Sequence, residues 1–284
     1  MTATALHVVL VQPDAWRPDG GRNLETVRRC LDHAPALGEQ HIVVLPELVG
    51  ATMPTDRYAH EIAGLARACG AWVIGGSHHA AGAPVVNGGV VADPNGTIVD
   101  HYEKRNPYGV EHDHGVAAGQ RAATLTIAGR RVTVLLCADA WFAELLLAAG
   151  DPELIVVPSF TITRRPPAFA RALWEHLAVA RAYEFGAYVA LGDWRPPATY
   201  HEQPAAGVSG VADPFPTAPG GFFTPATPAP VSVHALDLDR LDRHRADRRA
   251  RRFIRPTSTD GVDATAHRSP LTPHVHPDLG CSRN

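Results

Sequence analysis

Two spacings of apolar residues alternate along the chain. Short runs rich in valine and isoleucine are typical of buried strands, and longer segments with apolar residues every three or four positions are typical of amphipathic helices. The runs LHVVLVQP and HIVVLPE therefore predict two strands, with a helix between them near residues 22–37. EIAGLARACG predicts a helix that Gly70 ends, and AWVIGGS predicts the next strand.

Two predicted hairpins interrupt this alternation. VVNGGVVADPNGTIVDHYEK contains two strand-like runs joined by the turn DPNG, and ATLTIAGRRVTVLLC turns at Gly129. The chain then predicts a helix over residues 141–149, the strand ELIVVPS, a helix over residues 168–185 and the strands AYVALGDW, AGVSGVADP and PVSVHALDLD. Helices that alternate with strands, with hairpins inserted, predict an α/β fold with mixed β-sheets and helices on the outside.

The composition changes near the C-terminus. From about Asp239 the sequence RLDRHRADRRARRF is rich in arginine, which favours a solvated helix face over a nucleic-acid patch. The last thirty or so residues are rich in proline, threonine and histidine and have no hydrophobic period. We therefore predict one domain over residues 1–255 and an extended arm over residues 256–284, either flexible or in contact with a partner subunit. The residues past about Ala264 are expected to be dispensable for the core fold.

Composition narrows the class of protein. The 284 residues include 45% hydrophobic and 19% charged residues, as in soluble globular proteins, and the net charge of −3 gives no reason to expect a nucleic acid or an anionic membrane as partner. The N-terminus lacks the basic start of a signal peptide, and no apolar run approaches the ~18 residues of a membrane span. The four cysteines are far apart, so we expect a cytoplasmic protein without a zinc ribbon or a disulfide framework.

Three polar residues follow predicted strands at their carboxyl ends, where open α/β sheets usually bind ligands: Glu47, Lys104 and Cys137. A thiolate is a nucleophile, a nearby carboxylate can take its proton, and an ammonium can stabilise an oxyanion. In RVTVLLCADAWFAE, the helix predicted to begin near Trp141 would direct its positive end at Cys137 and favour the thiolate, with Asp139 as its N-cap. Taken alone, each of the three residue types is more often structural: a buried thiol, a turn carboxylate and a surface charge.

Several motifs together resemble the nitrilase superfamily, the carbon–nitrogen hydrolases. They are VVLPE, the stretch from IGG through VVNGG and DPNG to YEK, the Cys-x-Asp of LLCADAWFAE, VVPS, RAYEFGAYV and GVSGVADP. Their order and spacing match from residue 6 to about residue 250. The resemblance implies a four-layer α-β-β-α sandwich with two mixed β-sheets.

The resemblance also implies the roles of the site residues. The catalytic triad would be Glu47, Lys104 and Cys137, with Glu111 as a second active-site glutamate that orients the lysine and the substrate. The backbone N–H of Ala138 would complete the oxyanion site. No metal or organic cofactor is implied.

The resemblance further implies a homodimer or higher homo-oligomer, paired through the helices at residues 141–149 and 168–185. Glu144 is expected to tie the first of these helices into the fold. The implied function is that of an amidase-type thiol hydrolase, which cleaves a small amide or N-carbamoyl compound through a cysteine thioester and releases ammonia or an amine.

Other interpretations stay open at this stage. A nitrilase would use the same triad, although Ala138-Asp139 after the cysteine is closer to the amidase and carbamoylase branches. A metal hydrolase could use His112–His114, His78–His79 and the histidines of the C-terminal arm. A third alternative is a non-catalytic binding or scaffold protein. Asp193 replaces a common asparagine and either selects the substrate or caps a turn, of which we favour the cap. The segment between Glu47 and AWVIGGS is shorter than in most relatives.

Overall fold

The computed structural model describes residues 5–80, 82 and 84–253. Its strands are β1 (Leu6–Val11), β2 (His41–Val44), β3 (Trp72–Ile74), β4 (His78–Ala80), β5 (Val85–Ala92), β6 (Ile98–Glu103), β7 (Val116–Ala117), β8 (Ala123–Ile127), β9 (Arg130–Val134), β10 (Leu154–Pro158), β11 (Tyr188–Gly192), β12 (Thr199–Tyr200), β13 (Gln203–Pro204), β14 (Gly210–Ala212), β15 (Phe223–Pro225) and β16 (Val231–Leu236). Its α-helices are α1 (Gly20–Leu31), α2 (Thr55–Cys69), α3 (Val110–Asp113), α4 (Ala143–Ala149), α5 (Pro167–Phe185) and α6 (Leu238–Ala250).

The strands form two large mixed sheets. The first has the order β16-β1-β2-β3-β5-β4, with β6 and β7 also paired to β5, and its strands β1, β2 and β3 run parallel. The second has the order β15-β14-β11-β10-β9-β8, with β9, β10 and β11 parallel. Both predicted hairpins, β5–β6 and β8–β9, are present and antiparallel.

Alternating side chains of the strands build three apolar layers. On β1 and β2, Val9 and Val43 pack into a cluster that includes residues of α1 and α2. Their neighbours Val8 and Ile42 point the other way, into a cluster shared with the second sheet. A third cluster lies between the far side of the second sheet and the helices α4 and α5. Because successive strand residues face opposite sides, this order of layers is α-β-β-α, as expected.

Helix ends differ from the predictions in two places. The first helix ends at Leu31 rather than near residue 37, since the segment 32–37 contains Pro35, whose missing N–H and fixed φ oppose helical continuation. The helix expected over residues 141–149 is present as α4 but begins at Ala143, and a 3₁₀ helix that was not predicted precedes it over Cys137–Trp141. By contrast, α2 ends as predicted, with Gly70 in the left-handed conformation.

The arginine-rich segment forms α6, and it is not simply a solvated face. Arg245 is 3% exposed and donates hydrogen bonds to the carbonyls of Pro152 and Gly186. Part of the helix therefore fastens the loops around β10 and β11. The predicted arm at residues 256–284 lies outside the described residues. None of the described helices is both long and apolar enough to cross a membrane.

Candidate active site

The three strand-end residues meet at one edge of the two sheets. Glu47 follows β2 by three residues, and Lys104 directly follows β6, so both come from the first sheet. Cys137 follows β9, in the second sheet. All three are buried, with exposed fractions of 3% for Glu47 and Lys104 and 7% for Cys137. The sandwich thus joins side chains that are ninety residues apart, by bringing two sheet edges together.

Lys104 forms the centre of this cluster. Its Nζ donates to Glu47 Oε1 at 2.7 Å and to Glu111 Oε2 at 2.5 Å. The other oxygen of Glu47, Oε2, accepts from the backbone N–H of Phe160 at 3.0 Å, and the Cys137 Sγ lies 3.9 Å from the carbonyl oxygen of that residue. The carboxylate of Glu47 and the thiol of Cys137 therefore flank the same backbone segment.

Glu111 occupies the place expected of the second glutamate. It lies on the one-turn helix α3, 4% exposed, and its Oε2 also accepts from the backbone N–H of Tyr108 at 2.9 Å. Burial alone would raise the pKa of Glu111, but His79, Lys104 and the Tyr108 N–H lower it to about 2. Glu111 is therefore ionised over the whole ordinary range of pH.

Two residues that our sequence reasoning did not single out hold Glu47 and Glu111 in place. The Asn87 Nδ2 donates to Glu47 Oε1 at 3.0 Å and to Glu111 Oε1 at 2.7 Å. The indole N–H of Trp194 donates to the backbone carbonyl of Glu47 at 2.7 Å. Asn87 could have been identified from the sequence, because a polar side chain in the apolar strand VVNGGVVA must form hydrogen bonds when it is buried.

Burial and the neighbouring charges set the ionisation of the cluster. Burial raises the pKa of Glu47 above its ordinary value, although Lys104 opposes the shift. Burial would lower the pKa of Lys104, but Glu47, Cys137 and Glu111 raise it overall, so the lysine stays an ammonium. The pKa of Cys137 is well above that of an ordinary thiol, because it is buried beside the charge of Glu47. The resting thiol is therefore neutral, and the expectation of a helix-stabilised thiolate is wrong.

The backbone at Cys137 also differs from the expectation. The 3₁₀ helix begins at Cys137 itself, and α4 starts six residues later, at Ala143. Cys137 has a φ of 44°, in the left-handed region that only a few per cent of residues other than glycine adopt. Strain of this kind clusters at functional sites. Ala138 is the second residue of the 3₁₀ helix, where a backbone N–H has no partner within the helix and is free to bind an oxyanion.

Asp139 was expected to be the N-cap of the helix after Cys137, but it does not cap α4. Phe142 occupies that position without a side-chain hydrogen bond. Instead, the carboxylate of Asp139 accepts from the backbone N–H groups of Arg105 and Asn106, at 3.0 and 2.8 Å, and from the Asn106 Nδ2 at 2.9 Å. It therefore holds the turn just after Lys104 against the segment that carries Cys137.

Two further acids have structural positions. Asp193 is fully buried and accepts hydrogen bonds from the backbone N–H groups of Thr161, Trp194 and Val208. It fastens loops together, in keeping with the turn-cap interpretation. Glu144 is exposed in the first turn of α4 and, among the described residues, has neither a hydrogen bond nor an ion pair. It does not tie that helix into the fold, so this expectation is wrong.

Aromatic side chains line the site beside Glu47. The ring of Phe160 lies 5.5 Å from that of Tyr200 and 5.4 Å from that of Trp194, measured between centroids, and Trp16 packs edge-on against Tyr200 at 4.8 Å. Burial and the charges of Glu111 and Glu47 raise the pKa of Tyr200 to about 12. In the described residues, no three histidine, cysteine, aspartate or glutamate side chains come together as a metal-binding group.

Comparison of the sequence with known protein families identifies the family of this chain. The sequence profile of the carbon-nitrogen hydrolase family matches residues 8–192, a span that includes Glu47, Lys104, Glu111 and Cys137. The chain belongs to the carbon–nitrogen hydrolase family. No curated protein sequence matches this carbon–nitrogen hydrolase significantly.

Solved structures of the nitrilase superfamily share its fold. XC1258 of Xanthomonas campestris, a CN-hydrolase superfamily protein with an arsenic adduct in its active site, has 22% identity and a TM-score of 0.70 over 87% of this chain and 96% of its own. Nit3 of Saccharomyces cerevisiae has 20% identity and a TM-score of 0.70 over 86% and 94%. An amidase of Nesterenkonia AN1, as a cysteine-to-alanine mutant, has 22% identity and a TM-score of 0.66 over 87% and 96%. At these identities the likeness establishes the sandwich fold of this hydrolase and leaves its substrate to be inferred from the site.

Proposed function

We propose that the protein is an amidase, which hydrolyses a small linear amide through a thioester on Cys137 and releases ammonia or an amine and a carboxylic acid. The observation that carries this proposal is the buried cluster in which the ammonium of Lys104 bonds to both Glu47 and Glu111 beside the Cys137 thiol. A nucleophile, a base and an electrostatic stabiliser of negative charge are the parts that acyl transfer requires.

The first half of the reaction forms the thioester. Glu47 takes the proton of the neutral Cys137 thiol as the sulfur attacks the amide carbon, and the carbonyl oxygen becomes an oxyanion between Lys104 Nζ and the N–H of Ala138. When the oxyanion collapses, the C–N bond breaks and Glu47 returns its proton to the departing nitrogen. Burial raises the pKa of Glu47, which makes its carboxylate a stronger base than an ordinary glutamate, while its acid form can still return the proton to the departing nitrogen.

The second half releases the acid. Water occupies the place left by the amine, Glu47 accepts one of its protons, and the hydroxyl adds to the thioester carbon. The C–S bond then breaks and Glu47 returns the proton to the sulfur. The enzyme recovers its resting state, with a neutral thiol and an ionised Glu47.

Two features support an amide rather than a nitrile. Ala138 leaves room beside the sulfur for a tetrahedral carbon that carries an amine, and Glu47 is available to protonate that amine. A glutamate-to-glutamine mutant of the amidase of Nesterenkonia sp. AN1 carries adducts at its active-site cysteine, one from Michael addition of acrylamide and one with the acetamide moiety of fluoroacetamide. The same two small amides are therefore suitable probes for Cys137.

The surroundings of the thiol also limit the substrate. Cys137 is 7% exposed, so a bulky acyl group has little room in this conformation. The rings of Phe160 and Tyr200 offer an apolar surface next to Glu47, which favours a short apolar acyl group over a charged one.

The proposal is tested by measuring ammonia release from a panel of short aliphatic amides, carbamoyl amines and the matching nitriles. We expect kcat/KM to be higher for each amide than for its nitrile, and Cys137→Ala to remove turnover. Cys30→Ala is the matched control, because Cys30 is also buried but lies on α1. Mass spectrometry after treatment with acrylamide should locate the adduct on Cys137. An active Cys137→Ala variant, or a consistent preference for nitriles, would contradict the proposal, and a labelled but inactive thiol would indicate a binding protein.

A further inference from the structure

His79 points at the active site, but the mechanism above gives it no role. It lies on β4 directly opposite Asn87 on β5, and paired residues of antiparallel strands project from the same face of a sheet. Asn87 bonds to both carboxylates of the cluster, and His79 Nε2 lies 3.9 Å from Glu111 Oε1. The His79 side chain is 14% exposed.

The hydrogen bonds of Glu111 leave one position open. Its Oε2 accepts from Lys104 and from the Tyr108 N–H, which occupies both lone pairs. Its Oε1 accepts from Asn87 alone, among the described residues. One lone pair of Oε1 therefore remains, on the atom that His79 approaches.

Two neighbouring polar atoms are also unpaired. Within the described residues, both His79 Nε2 and Asn87 Oδ1 are buried without a hydrogen-bond partner. The Asn87 amide is oriented by its two N–H donations to Glu47 and Glu111, which leave the Oδ1 facing elsewhere. Buried polar atoms without partners are uncommon, and each requires an explanation.

The distance between His79 Nε2 and Glu111 Oε1 indicates which kind of group could form hydrogen bonds with both atoms. A separation of 3.9 Å is too long for a direct hydrogen bond between His79 Nε2 and Glu111 Oε1. A single atom about 2.8 Å from each of them spans it at an angle close to a right angle. The atom must donate to Glu111 and accept from, or donate to, the imidazole, and a water molecule does both.

We propose that His79 and Glu111 bind one water molecule between them, and that His79 acts through it as a positioning residue for Glu111. The water donates to Glu111 Oε1 and completes the bonds of that carboxylate. Glu111 in turn fixes the ammonium of Lys104, which in the proposed function holds the oxyanion. The kinetic part of this inference rests on the proposed function, whereas the water site itself does not.

The two amide substitutions of His79 form a matched pair. The amide of glutamine reaches the place of the imidazole Nε2, whereas that of asparagine reaches only the place of Nδ1. We therefore expect His79→Asn to lower kcat for an amide substrate by about 10- to 100-fold with a smaller change in KM, as small misplacements of catalytic groups do. His79→Gln should recover most of the loss. His101→Asn is the control, since His101 is exposed on β6 outside the site.

A crystal structure of the native protein should show a water within hydrogen-bonding distance of both His79 Nε2 and Glu111 Oε1, and His79→Asn should lose it. Thermal unfolding would verify that each variant is folded, and the rate at which acrylamide labels Cys137 reports on the site without a known substrate. Absence of the water, or equal kcat for the native, His79→Gln and His79→Asn proteins, would overturn the inference. If the native protein turns over no amide but the water is present and His79→Asn slows labelling, the proposed function fails and the positioning role remains.

Discussion

Lys104 is a buried ammonium between two buried carboxylates, at 2.7 and 2.5 Å. Such a group is stable only while its partners remain, because an isolated charge inside a protein is costly. Removal of the lysine would leave Glu47 and Glu111 facing each other without a counter-ion. Lys104 is therefore expected to contribute to stability as well as to the proposed catalysis.

We expect Lys104→Ala to lower kcat by about 10²–10³-fold, as the loss of an oxyanion donor does, and to lower the free energy of unfolding by about 3–5 kcal/mol, as the breaking of a buried ion pair does. Arg105→Ala is the control, because the neighbouring Arg105 is exposed. Steady-state kinetics and urea unfolding would measure the two effects. Normal kcat in a folded Lys104→Ala protein would show that another group binds the oxyanion.

The raised pKa of Glu47 predicts the pH dependence of turnover. Glu47 accepts a proton only as a carboxylate, so activity should be lost as the pH falls through its raised pKa. The acid limb of kcat/KM should therefore lie above the ordinary glutamate pKa of about 4.3, and Glu47→Gln should abolish turnover over the whole range. A limb at or below that ordinary value would argue against Glu47 as the base. Glu61→Gln, at a partly exposed glutamate on α2, should leave the profile unchanged.

At the scale of elements, the strands were easier to predict than the segment that carries Cys137. A strand such as the one in HIVVLPE can be predicted from its run of apolar residues, because that run indicates burial without information from the rest of the chain. The break between the 3₁₀ helix and α4 does not follow from burial, because the sequence CADAWFAELLLAA shows no local signal for a break. It is fixed by tertiary contacts: Asp139 bonds to the turn after Lys104 instead of capping a helix.

Asp139 therefore offers a test of how the two loops are joined. Asp139→Ala removes three hydrogen bonds to residues 105 and 106 and leaves two backbone N–H groups without their acceptor. We expect the free energy of unfolding to fall by about 1–3 kcal/mol and kcat to fall by about tenfold or more, because Lys104 is displaced. Asp113→Ala, at an exposed acid on α3, should change neither value. Loss of stability without loss of kcat would separate Asp139 from the placement of Lys104.

At the scale of the whole molecule, the resemblance to the nitrilase superfamily was sufficient to predict the four layers and the meeting of Glu47, Lys104 and Cys137, but not the residues that support them. Glu47, Lys104 and Cys137 end strands, and the sandwich brings those strand ends together. Asn87 and His79 belong to the site because β4 and β5 pair in one register. No local pattern determines that register, since the pairing depends on contacts between distant segments.

The helices α4 and α5, which cover the outer side of the second sheet, have the features expected of a subunit interface. Large apolar side chains are exposed on or beside α4 and α5: Trp141, Phe142, Leu147, Phe169, Leu173, Tyr183 and Phe222, each between 37% and 55% exposed. A groove of about 570 Å³ runs along α5 between Val179, Tyr183 and Phe222. Contiguous apolar surface of this kind marks an interaction site. We therefore expect a homodimer in which this face meets its own copy.

The test is to place a charge on that face. In a two-fold interface each substitution occurs twice, and each Leu173 has about half of its side chain left to bury, so Leu173→Glu would remove about 2–3 kcal/mol of apolar burial from the dimer and raise its dissociation constant by about 10- to 10²-fold. Light scattering after size-exclusion chromatography should then show a dimer for the native protein and a monomer for the variant. Val99→Glu is the matched control, because Val99 is 44% exposed, close to the 54% of Leu173, but lies on β6 of the first sheet. A native monomer, or equal dissociation of the two variants, would show that the apolar face of α5 is not where two copies meet.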